Sequence, residues 1–152
     1  MFRGLSSLSI DSKGRIAIPS RHRERLAAMA AGCLVLTLSP LDQSLWLYPL
    51  PEWEIIEAKL AELSDFEIQS RRTKQMMRGY ASDCQLDGQG RILLPQELRD
   101  YAGLSKEIIL LGQGNKFELW DADSWNDQRQ AWLHAISEGG DEPSDALRSL
   151  SL

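Results

Sequence analysis

Residues 10–19 read IDSKGRIAIP and residues 86–95 read LDGQGRILLP. Aligned, Asp11, Gly14, Arg15, Ile16 and Pro19 recur at the same spacing as Asp87, Gly90, Arg91, Ile92 and Pro95. The pattern D-x-x-G-R-I-x-x-P has a physical reading. SLSI before it and RIAI within it alternate, as short half-buried strands do, so the motif joins two strands through a tight turn. The aspartate can accept hydrogen bonds from backbone N–H groups two residues on. Glycine supplies the positive φ that other residues resist. The arginine is then held on a stiff turn with its guanidinium outward, and the proline sets φ for a first helical turn. Arginine suits phosphate oxygens and, bidentately, guanine O6 and N7. The same spacing also fits an internal role, in which Asp11 pairs with Arg15 and Asp87 with Arg91 to brace each turn.

The repeat runs on past the proline. SRHRERLAAMAAG and QELRDYAGL are short helical patterns, each closing near a glycine, Gly32 and Gly103. Two hairpins follow: CLVLTL with LWLYPL around SPLDQS, then IILL with FELW around GQGN. A helix comes after each, with Trp53 matching Trp125 and Tyr48 matching Trp120. The organisation is thus residues 5–51 as the first copy, 52–79 as a helical connector, 80–124 as the second copy, and 125–152 as a C-terminal helix and acidic tail. Within the connector, Trp53, Ile56, Leu60 and Leu63 trace one apolar stripe. SDFEIQSRRTKQMMRGY reads as a second helix with Ser64 as N-cap, Asp65 and Glu67 in its first turn, and basic residues toward its C-terminus, where the helix dipole favours them. The tail SEGGDEPSDALRSLSL is polar, with a last short turn at most. One copy of about 45 residues is too small to close a core, so the two copies are expected to cover each other by pseudo-two-fold pairing.

The chain has 152 residues and a net charge of −5, which by itself argues against a nucleic-acid partner. The distribution of charge argues for one. Residues 1–25 carry six basic groups, Arg3, Lys13, Arg15, Arg21, Arg23 and Arg25, against Asp11 and Glu24. Residues 68–80 carry Arg71, Arg72, Lys74 and Arg78 and no acid, whereas residues 81–152 hold thirteen acidic and six basic groups. A polyanion responds to the local field, because screening acts over about 8–10 Å. A solvated face, or the helix dipole in the case of residues 71–78, accounts equally for such clusters. Cys33 and Cys84 sit in apolar neighbourhoods and read as buried inert thiols. With His22 and His134 they form no metal-ligand spacing. No apolar run approaches the roughly 20 residues of a membrane span, and MFRGLSSLSI lacks a signal peptide's apolar segment, so a cytoplasmic protein is expected. GQGRIL and GQGNKF lack the third glycine or following Lys-Ser/Thr of a nucleotide cradle, and no Ser-His-Asp or Cys-His pattern accompanies a nucleophile turn. Trp46, Trp53, Trp125 and Trp132 would serve either a protein-interaction module or, more plainly, core and subunit contacts.

MFRG at the start, the DSKGRIAIP and DGQGRILLP pair, LYPLPEWE and NKFELWD together closely resemble the MraZ family, bacterial transcriptional regulators built from two SpoVT-AbrB (swapped-hairpin) units. The resemblance spans residues 1 to about 136, with a weaker echo in the terminal LRSLSL. It implies an α+β fold, a double-ψ/swapped-hairpin-type β-barrel from two tandem SpoVT-AbrB repeats flanked by helices. It also implies a repressor of the division and cell-wall gene cluster, its own promoter included. Such a protein would be nucleoid-associated in the cytoplasm and bind short direct repeats of double-stranded DNA as a ring-like homo-oligomer. No cofactor, metal, membrane, catalytic residue or small-molecule substrate is implied. In that family D-x-x-x-R marks the DNA-contacting turns. Carried over, with their basic neighbours, these are Arg15, Lys13, Asp11, Gly14, Arg3 and Arg21 in the first copy, and Arg91, Gln89 and Asp87 in the second. Gln89 stands where the first copy has Lys13, so the first turn is expected to carry more of the binding and the second more of the structure.

Overall fold

Each proline of the repeated motif launches a helix, and each helix feeds a hairpin. In the computed structural model, which describes residues 1–140 and 142–152, the first copy runs β1 (Leu5–Ser9), β2 (Arg15–Ala17), α1 (Ser20–Ala30), β3 (Cys33–Leu38) and β4 (Leu45–Pro49). The second runs β5 (Ser82–Gln85), β6 (Arg91–Leu93), α4 (Gln96–Tyr101), β7 (Glu107–Gly112) and β8 (Phe117–Asp121). Between them lie α2 (Leu50–Ala61) and α3 (Ile68–Gly79), and after them α5 (Ala122–Ser137) and α6 (Asp145–Arg148). Pro19, Pro49 and Pro95 each stand at a helix N-cap with φ between −55° and −58°, the torsion that a pyrrolidine ring fixes. Alignment of the copies places the main difference in the helix, 11 residues in α1 against 6 in α4.

Within each copy the hairpin strands pair, β3 with β4 and β7 with β8, but the two strands that each motif turn joins do not pair with each other. β1 pairs with β7 and β5 pairs with β3, so each copy's first strand adds to the other copy's hairpin. The registers obey a two-fold relation: Leu8 faces Ile108 just as Cys84 faces Leu34. On the axis itself β2 pairs with β6 about Ile16 and Ile92, and β4 pairs with β8 about Trp46 and Glu118. The result is a six-stranded antiparallel sheet in the order β1-β7-β8-β4-β3-β5, with a two-stranded ribbon β2–β6. β1 and β5 are the sheet's edges, and each continues through a motif turn into one strand of the ribbon. The ribbon thus closes the side between the edges and completes the swapped-hairpin arrangement.

Period-two alternation sorts the side chains into two cores. Ile16 and Ile18 meet Ile92, Leu94, Leu34, Leu36, Ile108, Leu110, Phe117 and Leu119 in the main cluster, with Leu26 from α1 and Leu98 from α4 sealing it. Val35 and Tyr48 join Trp53 and Leu60 of α2 and Met77 of α3 in a second. Cys33 and Cys84 follow the same alternation: Leu34 faces Cys84, so the two thiols project to opposite sides of the sheet. Cys84 is buried and its thiol is pushed up to about 11 by desolvation, while Cys33 is only half-buried and lies 3.2 Å from Gln85 Oε1.

The connector departs from its sequence reading in three respects. Leu63 lies beyond α2 and is 38% exposed, so the apolar stripe ends at Leu60. The N-cap of α3 is Glu67, whose carboxylate accepts from the N–H groups of Gln69 and Ser70 at 3.0 and 2.6 Å. Ser64 instead accepts from Phe66 N–H at 3.1 Å. The later start moves Arg71 and Arg72 into the first half of the helix, and of the four basic residues only Arg78 lies in the last turn. Residues 123–152 form a separate unit in which Trp132, Leu133 and Ile136 of α5 are exposed. In it Ser144 caps α6, and Arg148 lies 3.2 Å from Glu142 and 3.7 Å from Asp145. No helix among the described residues is long and apolar enough to cross a membrane.

Candidate nucleic-acid interface

The two motif turns are built alike. In the first, Asp11 N–H donates to the Arg15 carbonyl at 2.9 Å and Gly14 N–H to the Asp11 carbonyl at 3.0 Å. Asp11 Oδ1 accepts the N–H groups of Lys13 and Arg15, both at 2.9 Å, and Oδ2 accepts Arg15 Nε–H at 2.9 Å. In the second, Asp87 makes the same bonds to Gln89 N–H, Arg91 N–H and Arg91 Nε–H, again at 2.9 Å. The backbone N–H of the arginine is the largest influence holding each carboxyl below the usual aspartate range, followed by the Arg15 side chain at Asp11 and by the Gln89 N–H and then the Arg91 side chain at Asp87. Gly14 and Gly90 adopt φ of +82° and +74°, which a residue with a Cβ resists.

The Asp–Arg pairs brace the turns, and this bracing is compatible with display of the arginines. Each aspartate engages Nε only. Among the described residues the terminal Nη1 and Nη2 of Arg15 and Arg91 take no hydrogen-bond partner.

The ribbon places both arginines on one surface. Ile16 and Ile92 point inward and are 1% exposed, so the alternate residues Arg15, Ala17, Arg91 and Leu93 share the outer face. Arg15 is in register with Leu93 and Arg91 with Ala17. Two residues along a strand and one strand across put the arginine Cα atoms roughly 8 Å apart on that face. Lys13 is exposed beside the first turn, and Gln89 is exposed at the matching place beside the second. The two copies therefore differ at this surface in one positive charge, with the same geometry around each arginine.

The remaining candidates lie elsewhere. Arg21, at the start of α1, donates Nη2–H to Ser6 Oγ at 2.6 Å and Nε–H to His22 Nε2 at 3.3 Å. Arg3 precedes β1, at the opposite end of that strand from the motif turn, where Phe2 bridges Gly114. Of the four basic residues of α3, Lys74 is taken up by Asp65 and the Leu63 carbonyl. Arg71, Arg72 and Arg78 are exposed.

One pair of side chains escaped the sequence reading. Four residues beyond each motif proline the repeat continues with Arg23 and Arg99. Arg99 Nε–H donates to the Leu94 carbonyl at 3.0 Å, and Arg23 Nε–H donates to the Ile18 carbonyl. Each lies over the turn glycine of the other copy: a Cβ added to Gly14 would sit 2.9 Å from Arg99 Cζ, and one added to Gly90 would sit 2.6 Å from Arg23 Cζ. Carrying the alignment past the proline would have found the pair, since the spacing D-x-x-G-R-I-x-x-P-x-x-x-R is kept in both copies.

Two matches to the family described as MraZ protein, putative antitoxin-like, cover residues 1–76 and 77–142, one to each copy. The chain belongs to the MraZ family. Relatives named "Transcriptional regulator MraZ" from Thioalkalivibrio sulfidiphilus (strain HL-EbGR7), Pseudomonas aeruginosa (strain LESB58) and Halorhodospira halophila (strain DSM 244 / SL1) are 52%, 50% and 48% identical to it. Each alignment covers the whole of both chains. The boundary between the two MraZ matches falls inside α3, so the connector is shared between them.

Proposed function

We propose that this chain is a DNA-binding transcriptional regulator whose contact surface is the outer face of the β2–β6 ribbon. The observation that carries the reading is the placement of Arg15 and Arg91 side by side on that face, each held through Nε by its own aspartate with the guanidinium terminus open. A two-stranded ribbon is one of the few elements that enters the major groove of B-DNA, which is about 12 Å wide, and arginine is its commonest specific reader there. Exposed Leu93, directly across from Arg15 and two residues along from Arg91, offers an apolar contact for a thymine methyl. The names of the relatives support the same class of function.

The finer reading is that the chain represses the division and cell-wall gene cluster, its own promoter included. Short direct repeats in double-stranded DNA are its site, and a ring-like homo-oligomer presents several ribbons at once, so that avidity supplies what one ribbon lacks. Arg15 and Arg91 read, Lys13 adds charge to the first turn, and Asp11, Gly14 and Asp87 hold the turns. Gln89 lines the second turn, and Arg3 and Arg21 lend longer-range attraction from beside the N-terminus.

The test is a titration of promoter DNA with wild type, Arg15→Ala and Arg91→Ala at several salt concentrations, alongside the mass of each assembly. A good bidentate arginine contact is worth about 1–3 kcal/mol, so each substitution should cost roughly 5- to 150-fold. Arg15 should cost more, because Lys13 keeps its turn closer to the phosphates. Wild-type affinity for both variants, with assembly intact, would overturn the assignment.

A further inference from the structure

We infer that Arg23 and Arg99 are positioning residues that lock each D-x-x-G-R turn from the opposite copy, so that the two turns act as one crossed unit. This rests on the ribbon reading for its functional meaning, although the crossing itself does not involve DNA.

The geometry is reciprocal. The Gly90 carbonyl, in the second turn, accepts Ile18 N–H of the first copy at 2.9 Å, and the Ile18 carbonyl then accepts Arg23 Nε–H. The Arg23 side chain comes back over Gly90, against the space that a Cβ would fill. In mirror fashion the Gly14 carbonyl accepts Leu94 N–H at 2.8 Å, the Leu94 carbonyl accepts Arg99 Nε–H at 3.0 Å, and Arg99 covers Gly14. Each turn is therefore fixed from two sides, by its own aspartate within the copy and by an arginine from the other copy's helix. The glycines have a second use beyond their positive φ: a side chain at position 90 would expel Arg23, and one at position 14 would push the tip of Arg99 aside. What marks Arg23 and Arg99 for holding is their position: Nε is bonded to a carbonyl of their own copy while the guanidinium lies against the other copy's turn glycine.

The consequence is a crossed dependence. Loss of Arg23 should loosen the turn that presents Arg91, and loss of Arg99 should loosen the turn that presents Arg15.

Backbone amide hydrogen exchange on the full chain, without DNA, tests the crossing directly. In Arg23→Met the N–H groups of Gly90 and Arg91 should exchange about tenfold faster, while those of Gly14 and Arg15 stay near wild type. Arg99→Met should give the converse. Equal acceleration of both turns, or acceleration only in the variant's own copy, would overturn the proposal. On DNA, Arg23→Met should be less than additive with Arg91→Ala and additive with Arg15→Ala. Coupling to Arg15 instead would refute it. Arg23→Lys keeps the charge but loses the flat guanidinium over Gly90, so full rescue by lysine would also refute positioning. If neither Arg15→Ala nor Arg91→Ala alters DNA binding, the ribbon reading fails while the exchange pattern still decides the crossing.

Discussion

Gly90→Ala is the sharpest perturbation of the ribbon end. Gly90 has φ +74°, and an alanine in the left-handed region costs about 1–2 kcal/mol. The new Cβ would lie 2.6 Å from Arg23 Cζ and closer to Nε and Cδ, atoms of the side-chain stem that cannot give way by small adjustment. Arg23 must therefore leave, and its bond to the Ile18 carbonyl is worth a further 0.5–1.5 kcal/mol, about the usual net value. Alanine also restricts the unfolded chain, which returns about 0.4–1 kcal/mol. The net loss is about 2 kcal/mol. At Gly14 the obstruction is the far end of Arg99, with Cζ and Nη2 both 2.9 Å from the added Cβ, and a flexible tip can swing aside. Gly14→Ala should then cost about 1 kcal/mol, mostly from the backbone torsion. Urea denaturation followed by the fluorescence of the five tryptophans separates the two values. In an Arg23→Ala background the penalty at Gly90 should shrink toward the torsional part alone. A Gly90→Ala protein as stable as wild type, or a greater cost at Gly14, would refute the reasoning.

Ile16→Ala and Ile92→Ala each remove a side chain that is 1% exposed, and should each cost about 2–5 kcal/mol in the same assay. Because the two face each other in register, the double variant should depart from additivity, and single losses below about 1 kcal/mol would refute their place in the core. His22 is buried against the rings of Phe2 and Phe117, and desolvation, then the charges of Arg21 and Arg25, hold its pKa below 6.5. The unfolded chain therefore takes up the proton first, so stability should be full above about pH 6.5 and fall as the pH drops below it. His22→Leu should flatten that slope, and an unchanged pH profile would count against the assignment. Deleting residues 137–152, which carry four acids against Arg148, should raise affinity for random DNA several-fold in a competition assay, and no change would show that the tail's charge plays no part.

Local chemistry and the two-fold covering of one copy by the other were legible in the sequence, and which strands change partners was not. The aspartate bonds, the glycine torsions, the helices after Pro19 and Pro95 and both hairpins follow from residue types at fixed offsets. The exchange of β1 and β5 between copies does not, because a strand such as SLSI carries no mark of which edge it joins. The α3 cap was misplaced because Ser64 and Glu67 both offer a capping oxygen, and only the chain path decides between them. Arg23 looked like one more charge of a solvated helix, since its role depends on a glycine that lies far along the chain. The Asp–Arg pair and the outward arginine looked like alternatives in the sequence. They coexist because guanidinium has more donors than one carboxylate engages.

The swapped pairing also sets a timetable for synthesis. β1 leaves the ribosome well before its partners, residues 107–111, have been made. At about 5–20 residues per second the strand waits several seconds or more with its hydrogen-bonding edges unmet. Its sequence, Leu-Ser-Ser-Leu-Ser, suits that wait, because three hydroxyls in five residues leave little for another nascent chain to adhere to. β3, far more apolar, has β4 at hand almost at once. The distribution of serine and leucine between these strands thus matches how long each must stand alone.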